Sequence, residues 1–485
     1  MAQNLNNKII ESSKWSFVTE LVAKLVIPIS SILLARLLAP EDFGVLTLLM
    51  MVISFADMLA DAGFSKYIVQ REFDCDIDKS EQVTVAYWSN VFFAITICLL
   101  VMLLSDRLSM LINAKGLEIA LAVMSVAIPL NALSSIQLAM LRREFKFDTL
   151  FKIRLVSIIT PLIVTLPMAH LGFGYWALIY GYIANSLLTA LMATYFSVAK
   201  IMFSYKVQVL SQMLGFSLWS LIEAIAIWLT TWGEMFIVGD LLNIYYLGLY
   251  RNSMILVNSL LGLFVAATVP VLYAGLSRLQ NDDDKYKSFF YYFQRLVGIA
   301  VIPMGVGIYC YRELIVKILF GSEWLEASLF IGLWGLTSAL MVVWGHYCSE
   351  VYRSRGLPKL SFWAQILHLI FLIPTVYYFA QHSFEELAYA RNLVRMQFVA
   401  VHITFMYFFF KFSPVKMIAN VLPFIAISLF MGLLATLIQN IYNGILWQLL
   451  TVAICIGFYI TILFTIKKYR YFVLGFIRNK GNSLM

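Results

Sequence analysis

The sequence predicts an all-α membrane protein of about 14 transmembrane helices, arranged as two pseudo-symmetric six-helix lobes plus two extra C-terminal helices. Three observations predict it. Of the 485 residues, 61% are hydrophobic and only 13% charged, against about 25% charged in soluble domains. Apolar runs of 18 to 25 residues recur from end to end, each long enough to cross a hydrocarbon core of about 30 Å as a helix. Lys and Arg fall between those runs, alternately dense and sparse. Backbone groups in lipid must be satisfied within the segment, which a helix does. The short alternating strands of a β-barrel are absent.

Taken in order, the N-terminus MAQNLNNKIIESSKW is polar and lacks a signal-peptide pattern, so it reads as a cytosolic tail. Span 1 (15–38) and span 2 (43–65) flank ARLLAPEDF; the loop DCDIDK precedes span 3 (83–104). Span 4 (117–140) runs into Arg142 and Arg143, ahead of span 5 (151–170) and span 6 (175–197). Span 7 (213–239) and span 8 (248–275) follow, then NDDDK, span 9 (289–311) and span 10 (327–350). Arg353, Arg355 and Lys359 separate span 10 from span 11 (361–380); span 12 (386–410) comes next. Lys411 and Lys416 mark the approach to span 13 (415–438), and span 14 (444–466) ends at Lys467 and Lys468. No connection is long enough to be a soluble domain.

With the N-terminus inside, 25 of the 35 Lys and Arg lie in inside segments, 5 in outside loops and 5 within spans. That bias orients the chain with both termini cytoplasmic. The net charge of +8 is spread over short loops, so nucleic acid is not an expected partner. Five cysteines form no CxxC pair, and neither a metal nor a cofactor is expected.

ARLLAPEDFGVL (Ala35 to Leu46) aligns with GDLLNIYYLGLY (Gly239 to Tyr250) at an offset of 204, and DCDIDK matches NDDDK in kind. Each half holds six spans and so keeps its orientation, which predicts lobes related by an axis along the membrane normal with a site between them. The expected divisions are residues 1–200 for the N-lobe, 201–411 for the C-lobe, and 412–485 for spans 13 and 14 with a cytosolic tail.

Several stretches, in this order and spacing, resemble the polysaccharide-transport branch of the multidrug/oligosaccharidyl-lipid/polysaccharide flippase superfamily. They are LLARLLAPEDFGVLTLLM (Leu33 to Met50) with DAGFSKYIVQRE (Asp61 to Glu72), LRREFKFDTLFKIRLVS (Leu141 to Ser157), GFGYWALIYG (Gly172 to Gly181), LGLYRNSMILVNSLLGLF (Leu247 to Phe264) with its continuation to Lys285, and PMGVGIYCYRELIVKILFGSEWLEA (Pro303 to Ala327). The resemblance is clear over spans 1 to 10. It implies flippases and exporters of O-antigen, capsule or exopolysaccharide repeat units in a bacterial inner membrane. It further implies a V-shaped cavity between two lobes, and an undecaprenyl-pyrophosphate-type oligosaccharide moved by alternating access on an ion gradient. Membrane lipids and polysaccharide polymerase or assembly proteins are the other partners it suggests. The sequence agrees in lacking a GxxxxGK[ST] phosphate loop.

A pyrophosphate cannot cross hydrocarbon bare, so the intramembrane charges are the candidate site. Lys24 in span 1 is a cavity cation, or is neutralised by Glu20 one turn earlier. Arg251 opens span 8, and Arg295 lies about two turns into span 9. Arg391 and Arg395 share a face of span 12, to bind phosphate or to pair with Glu223 or Glu234 of span 7. Asp57 and Asp61, one turn apart on span 2, bind a coupling cation, relay protons, or cap the mouth beside Lys66; Glu20, Glu223 and Glu234 are further candidates for ion coupling. Trp228 and Trp334 either stack on sugar rings or pack helices. Pro28, Pro129, Pro161, Pro270, Pro303 and Pro374 interrupt spans, and Pro303 with Gly305 and Gly307 forms the expected hinge.

No catalytic constellation emerges, and the outer loops are too short for a membrane-embedded polymerase or ligase, so the chain is not expected to be an enzyme. A drug or small-cation exporter of the same superfamily is the closer alternative. It would favour carboxylates over cations in the cavity.

Overall fold

The computed structural model describes residues 2–478 apart from 74, 200, 203, 204, 358 and 443. Some helical side chains are also outside the described set. They include Glu223 and, of the loop cations counted above, Lys8 and Arg478; Lys200 and Lys480 lie outside it entirely.

Fourteen helical segments are long and apolar enough to cross a membrane, and no strand occurs among the described residues. They are Lys14–Ala35, Pro40–Asp61, Asp76–Leu103, Glu118–Arg143, Phe147–His170, Tyr175–Tyr195, Ser220–Leu241, Ile244–Arg278, Asp283–Cys310, Ala327–Ser354, Lys359–Ala380, Phe384–Phe410, Leu422–Gln439 and Ile445–Thr465, spans 1 to 14 in turn. Large apolar side chains such as Phe92, Leu103 and Leu446 are exposed, as lipid-facing residues should be.

Two of the six prolines break a helix. Span 4 is parted at Ser125 and Val126, where Pro129 lacks the N–H that would reach the Ser125 carbonyl and Ile128 donates to it instead at 2.9 Å. Span 5 widens into a π-turn at Pro161–Thr165. Pro28, Pro270, Pro303 and Pro374 sit inside continuous helices. A second π-turn, Val342–His346 in span 10, has no proline.

Packing divides the chain into two compact units, Met1–Leu263 with Leu372–Leu387, and Phe264–Phe371 with Ala388–Met485. The units follow contacts, whereas the division at 200 and 411 follows the sequence repeat. In the first unit, Leu48, Ile53, Phe64, Ile68, Leu121 and Ile136 form the core. In the second, Phe290, Val301, Phe330, Tyr347 and Phe424 do.

The repeat has a structural counterpart inside the first unit. Pro40 stands at the first helical position of span 2, and the Asp42 carboxylate accepts the Ala39 N–H at 3.0 Å, satisfying a donor the helix leaves free. A Cβ on Gly44 would collide with the carbonyl of Ile244, and one on Gly248 with the carbonyl of Pro40. Residue 44 maps to 248 and residue 40 to 244 under the offset of 204. The contact is therefore reciprocal, as a local two-fold requires. The acidic loops also correspond. Each donates an N-cap: the Cys75 Sγ accepts the Asp78 N–H, and Asp282 accepts the Lys285 N–H at 3.0 Å. That bond and the Lys285 ammonium hold the Asp282 carboxyl below its usual range.

Two of the quoted stretches turn out to be mates. Ala62 and Gly63 adopt left-handed backbone, at φ 46° and 84°, and turn the chain into the short helix Phe64–Gln70. Arg143 then donates to the carbonyls of Ile68 (3.0 Å), Val69 (3.2 Å) and Arg71, and stacks on Phe73 at 4.3 Å. It satisfies the orphan carbonyls at the end of that helix. Lys79 pairs with Glu144 beside it. These residues line a cleft of about 830 Å³ with Arg71 and Arg142.

Replacing Gly44 or Gly248 by Val should destabilise the protein by about 1–3 kcal/mol, read as a lower melting temperature in detergent. The same change at Gly307, whose Cβ position is open, should have the smaller effect.

Candidate functional site

The ionisable side chains within spans fall into separate groups, and the structure brings some predicted residues together while parting others.

The first group lies on spans 2, 3, 4 and 6. Asp57 accepts from the Asn131 amide at 2.8 Å, and that amide also donates to the Tyr182 hydroxyl at 3.2 Å. Asp61 accepts from Ser135 and from Ser65, both at 2.8 Å. The two carboxylates line one small cavity with Asn90, Asn131 and Ser135. Asn90 and Asn131 escaped a sequence reading that searched for charges. The available signal was a lone amide inside an apolar run.

The second group joins spans 1, 7 and 8. The Ser31 hydroxyl donates to Asn252 at 2.7 Å. The Lys24 side chain lies along Gly262, where a Cβ would come within 3.2 Å of its Nζ; a larger residue there would compete with the lysine for space. Glu234 is buried and accepts from the Tyr250 hydroxyl at 3.0 Å. Arg251 stacks its guanidinium on Trp232 at 5.3 Å. Glu20 is exposed. Trp228 donates to Ser54 at 3.0 Å and packs on Phe55 at 4.9 Å, so its indole serves helix packing.

The third group is in the second unit. Trp334 is buried in span 10, stacked on Phe330 at 5.6 Å. Arg395 lies over its ring at 3.7 Å and Arg391 at 4.9 Å. Arg395 also donates to Ser338 at 2.7 Å, and Asn392 accepts from Thr337 at 2.6 Å. One indole thus carries two guanidinia. Cation–π attraction favours each by up to about 2 kcal/mol in a desolvated setting, and the planar forks keep donors suited to phosphate oxygens. Trp334 is engaged by protein groups.

Arg295 belongs to a different neighbourhood. It donates to the Asn420 side chain at 2.8 and 3.2 Å and lies over Phe472 at 5.4 Å. The partner sits more than a hundred residues away in sequence, out of reach of any local pattern. Phe472 belongs to the basic helix Lys467–Arg478 after span 14.

The Pro303 segment packs tightly. A Cβ on Gly305 would press on Ala339 and on the Gly335 carbonyl, and one on Gly335 on Ile308. Glycines at both positions let spans 9 and 10 approach closely, as small residues do in membrane bundles. Gly307 faces open space. Among the described residues, no group of three or more His, Cys, Asp or Glu could hold a metal ion.

Fourteen apolar helices that carry paired and buried charges in their interiors define a multi-pass membrane transport protein. The chain belongs to the polysaccharide biosynthesis protein family, whose sequence profile matches residues 33–329. It is 24% identical over 389 residues to the Escherichia coli K12 lipopolysaccharide biosynthesis protein WzxC, covering 77% of this chain and 75% of that one. It is 23% identical over 341 residues to the succinoglycan biosynthesis transport protein ExoT of Rhizobium meliloti, covering 70% and 67%. The fold is that of the lipid II flippase MurJ in an inward closed conformation, with a TM-score of 0.77 at 16% identity over 95% of this chain and 99% of that one. An inward-facing multidrug resistance MATE transporter of the MOP superfamily shares it at a TM-score of 0.59 and 12% identity, over 84% and 98%.

Replacing Trp334 by Leu should cost about 3 kcal/mol, because both arginines lose their ring. Trp334→Phe, which keeps an aromatic face, should cost less. Thermal unfolding of the purified variants checks the order.

Proposed function

We propose that this protein moves a polyprenyl-pyrophosphate-linked oligosaccharide from the inner to the outer leaflet of a bacterial inner membrane, with both termini cytoplasmic. The observation that carries the reading is the Arg391–Trp334–Arg395 cluster, in a chain whose family relatives are named for lipopolysaccharide and succinoglycan biosynthesis. The planar donor forks of Arg391 and Arg395 suit phosphate oxygens, and a doubly charged pyrophosphate presents several. Lys24 and Arg251, on spans 1 and 8, are further intramembrane cations of the kind that binds phosphate. The polyprenyl tail stays in lipid, so only the headgroup and glycan need a polar route.

Alternating access supplies that route. The repeat-related lobes, 1–200 and 201–411, open in turn to either leaflet, and spans 13 and 14 stand outside the cycle. Pro303, Gly305 and Gly307 are the hinge in span 9. Membrane lipids surround the protein, and the polymerase and assembly proteins that consume the flipped unit are its downstream partners. Energy comes from an ion gradient, in keeping with the absence of a phosphate loop.

Deletion of the gene should leave lipid-linked repeat units on the cytosolic leaflet and abolish the surface polysaccharide. Complementation with Lys24→Ala, or with Arg391→Ala/Arg395→Ala, should restore no more than a small fraction of the polymer. Normal polymer in the deletion strain contradicts the function; normal polymer with both variants contradicts the site.

A further inference from the structure

Asn90, in the middle of span 3, is 1% exposed, and neither its amide oxygen nor its amide nitrogen has a hydrogen-bond partner among the described residues. A buried amide left unpaired is destabilising, and native proteins rarely tolerate one without a use. Asn90 lines a cavity of about 260 Å³ with Asp57, Asp61, Asn131 and Ser135; the remaining lining is apolar and includes no Lys or Arg.

The charge in this cavity is one-sided. Asp57 and Asp61 stand one turn apart on span 2, and the groups that reach them are neutral donors: Asn131 to Asp57, and Ser65 and Ser135 to Asp61. A pair of carboxylates among apolar helices calls for a counter-charge. The donor atoms present are oxygens, which suit a hard cation, and no His or Cys joins them. The cavity exceeds the volume of one water, about 30 Å³ in the liquid, so an ion can keep part of its hydration shell. A bound water on the ion would accept from the Asn90 nitrogen while the Asn90 oxygen turns to the ion, and both orphan atoms would then be satisfied.

We propose that Asp57, Asp61, Asn90 and Asn131 form a binding site for a partly hydrated sodium ion within spans 2, 3 and 4. The assignment deepens the ion-driven transport reading and rests on it for its purpose. A monovalent ion is the species that two carboxylates held by neutral donors can both attract and release in each cycle. A divalent ion neutralised by the same pair would be held too firmly to turn over.

The test is thermal unfolding of the purified full-length protein in detergent, at constant ionic strength, titrated with sodium, potassium or choline chloride. Wild type should show a saturable rise in melting temperature with sodium and none with choline. The sodium midpoint should rise about tenfold or more in Asp57→Asn and in Asn90→Leu. Asn90→Leu replaces an unpaired amide with an apolar group of similar size, so it should fold and melt higher than wild type in choline. A potassium response equal to that of sodium, a response to calcium or magnesium in its place, stabilisation by acid alone, or unchanged sodium midpoints in both variants each overturns the site. Transport of lipid-linked oligosaccharide by a wild type with no sodium response overturns this site and leaves the transport reading standing. Sodium-selective binding by a protein that does not flip the lipid does the reverse.

Discussion

A polar atom inside a hydrocarbon slab must find its partner within the protein. The rest of this structure follows from that constraint. It makes each span a helix, since a helix closes its own backbone hydrogen bonds. It draws helices together at Gly44, Gly248, Gly305 and Gly335, where a Cβ would meet a neighbouring backbone or side chain. It also decides where charged side chains can sit. Arg391 and Arg395 lie over the face of Trp334, Arg295 is held by Asn420, and Glu234 is held by Tyr250. Each of these charges has been given an aromatic face or a hydrogen-bonding group.

The same constraint explains what could be read from the chain beforehand. Span number and order were legible because an apolar run of the required length has few other uses in a chain so poor in charge. The repeat was legible because its two copies keep the residues that backbone proximity demands, Gly44 and Gly248, and their reciprocal contact gives the alignment a physical cause. Pro129 and Pro161 announced irregularities in their helices, since each lacks the N–H that the regular ladder uses. Pro303 announced one that did not occur: span 9 continues through it and Gly305 packs closely against span 10. The π-turn at Val342–His346 carries no proline and had no visible signal.

The site was legible in part. A search for intramembrane charge found Asp57, Asp61, Glu234, Lys24 and the arginines, because ionisable groups stand out in apolar text. It could not find their partners. Asn131, Ser135, Ser338 and Asn420 are ordinary polar residues whose importance comes from tertiary placement. Asn90 is the sharpest case, an uncharged residue made conspicuous only by its burial without a partner. Trp334, whose role alternated between stacking on sugar and packing, is now occupied by Phe330 and two guanidinia.

The central claim is that these intramembrane cations exist to carry a lipid-linked pyrophosphate across the bilayer. The most direct measurement is flipping itself. Purified protein is reconstituted into vesicles with a fluorescent polyprenyl-pyrophosphate oligosaccharide, and the fraction reached by a membrane-impermeant quencher is followed in time. The account predicts that an imposed ion gradient makes the inner-leaflet pool accessible in the presence of wild-type protein, and that Arg391→Ala/Arg395→Ala abolishes the change. A pool that stays protected with wild-type protein, or flipping that survives in the double variant, would contradict it.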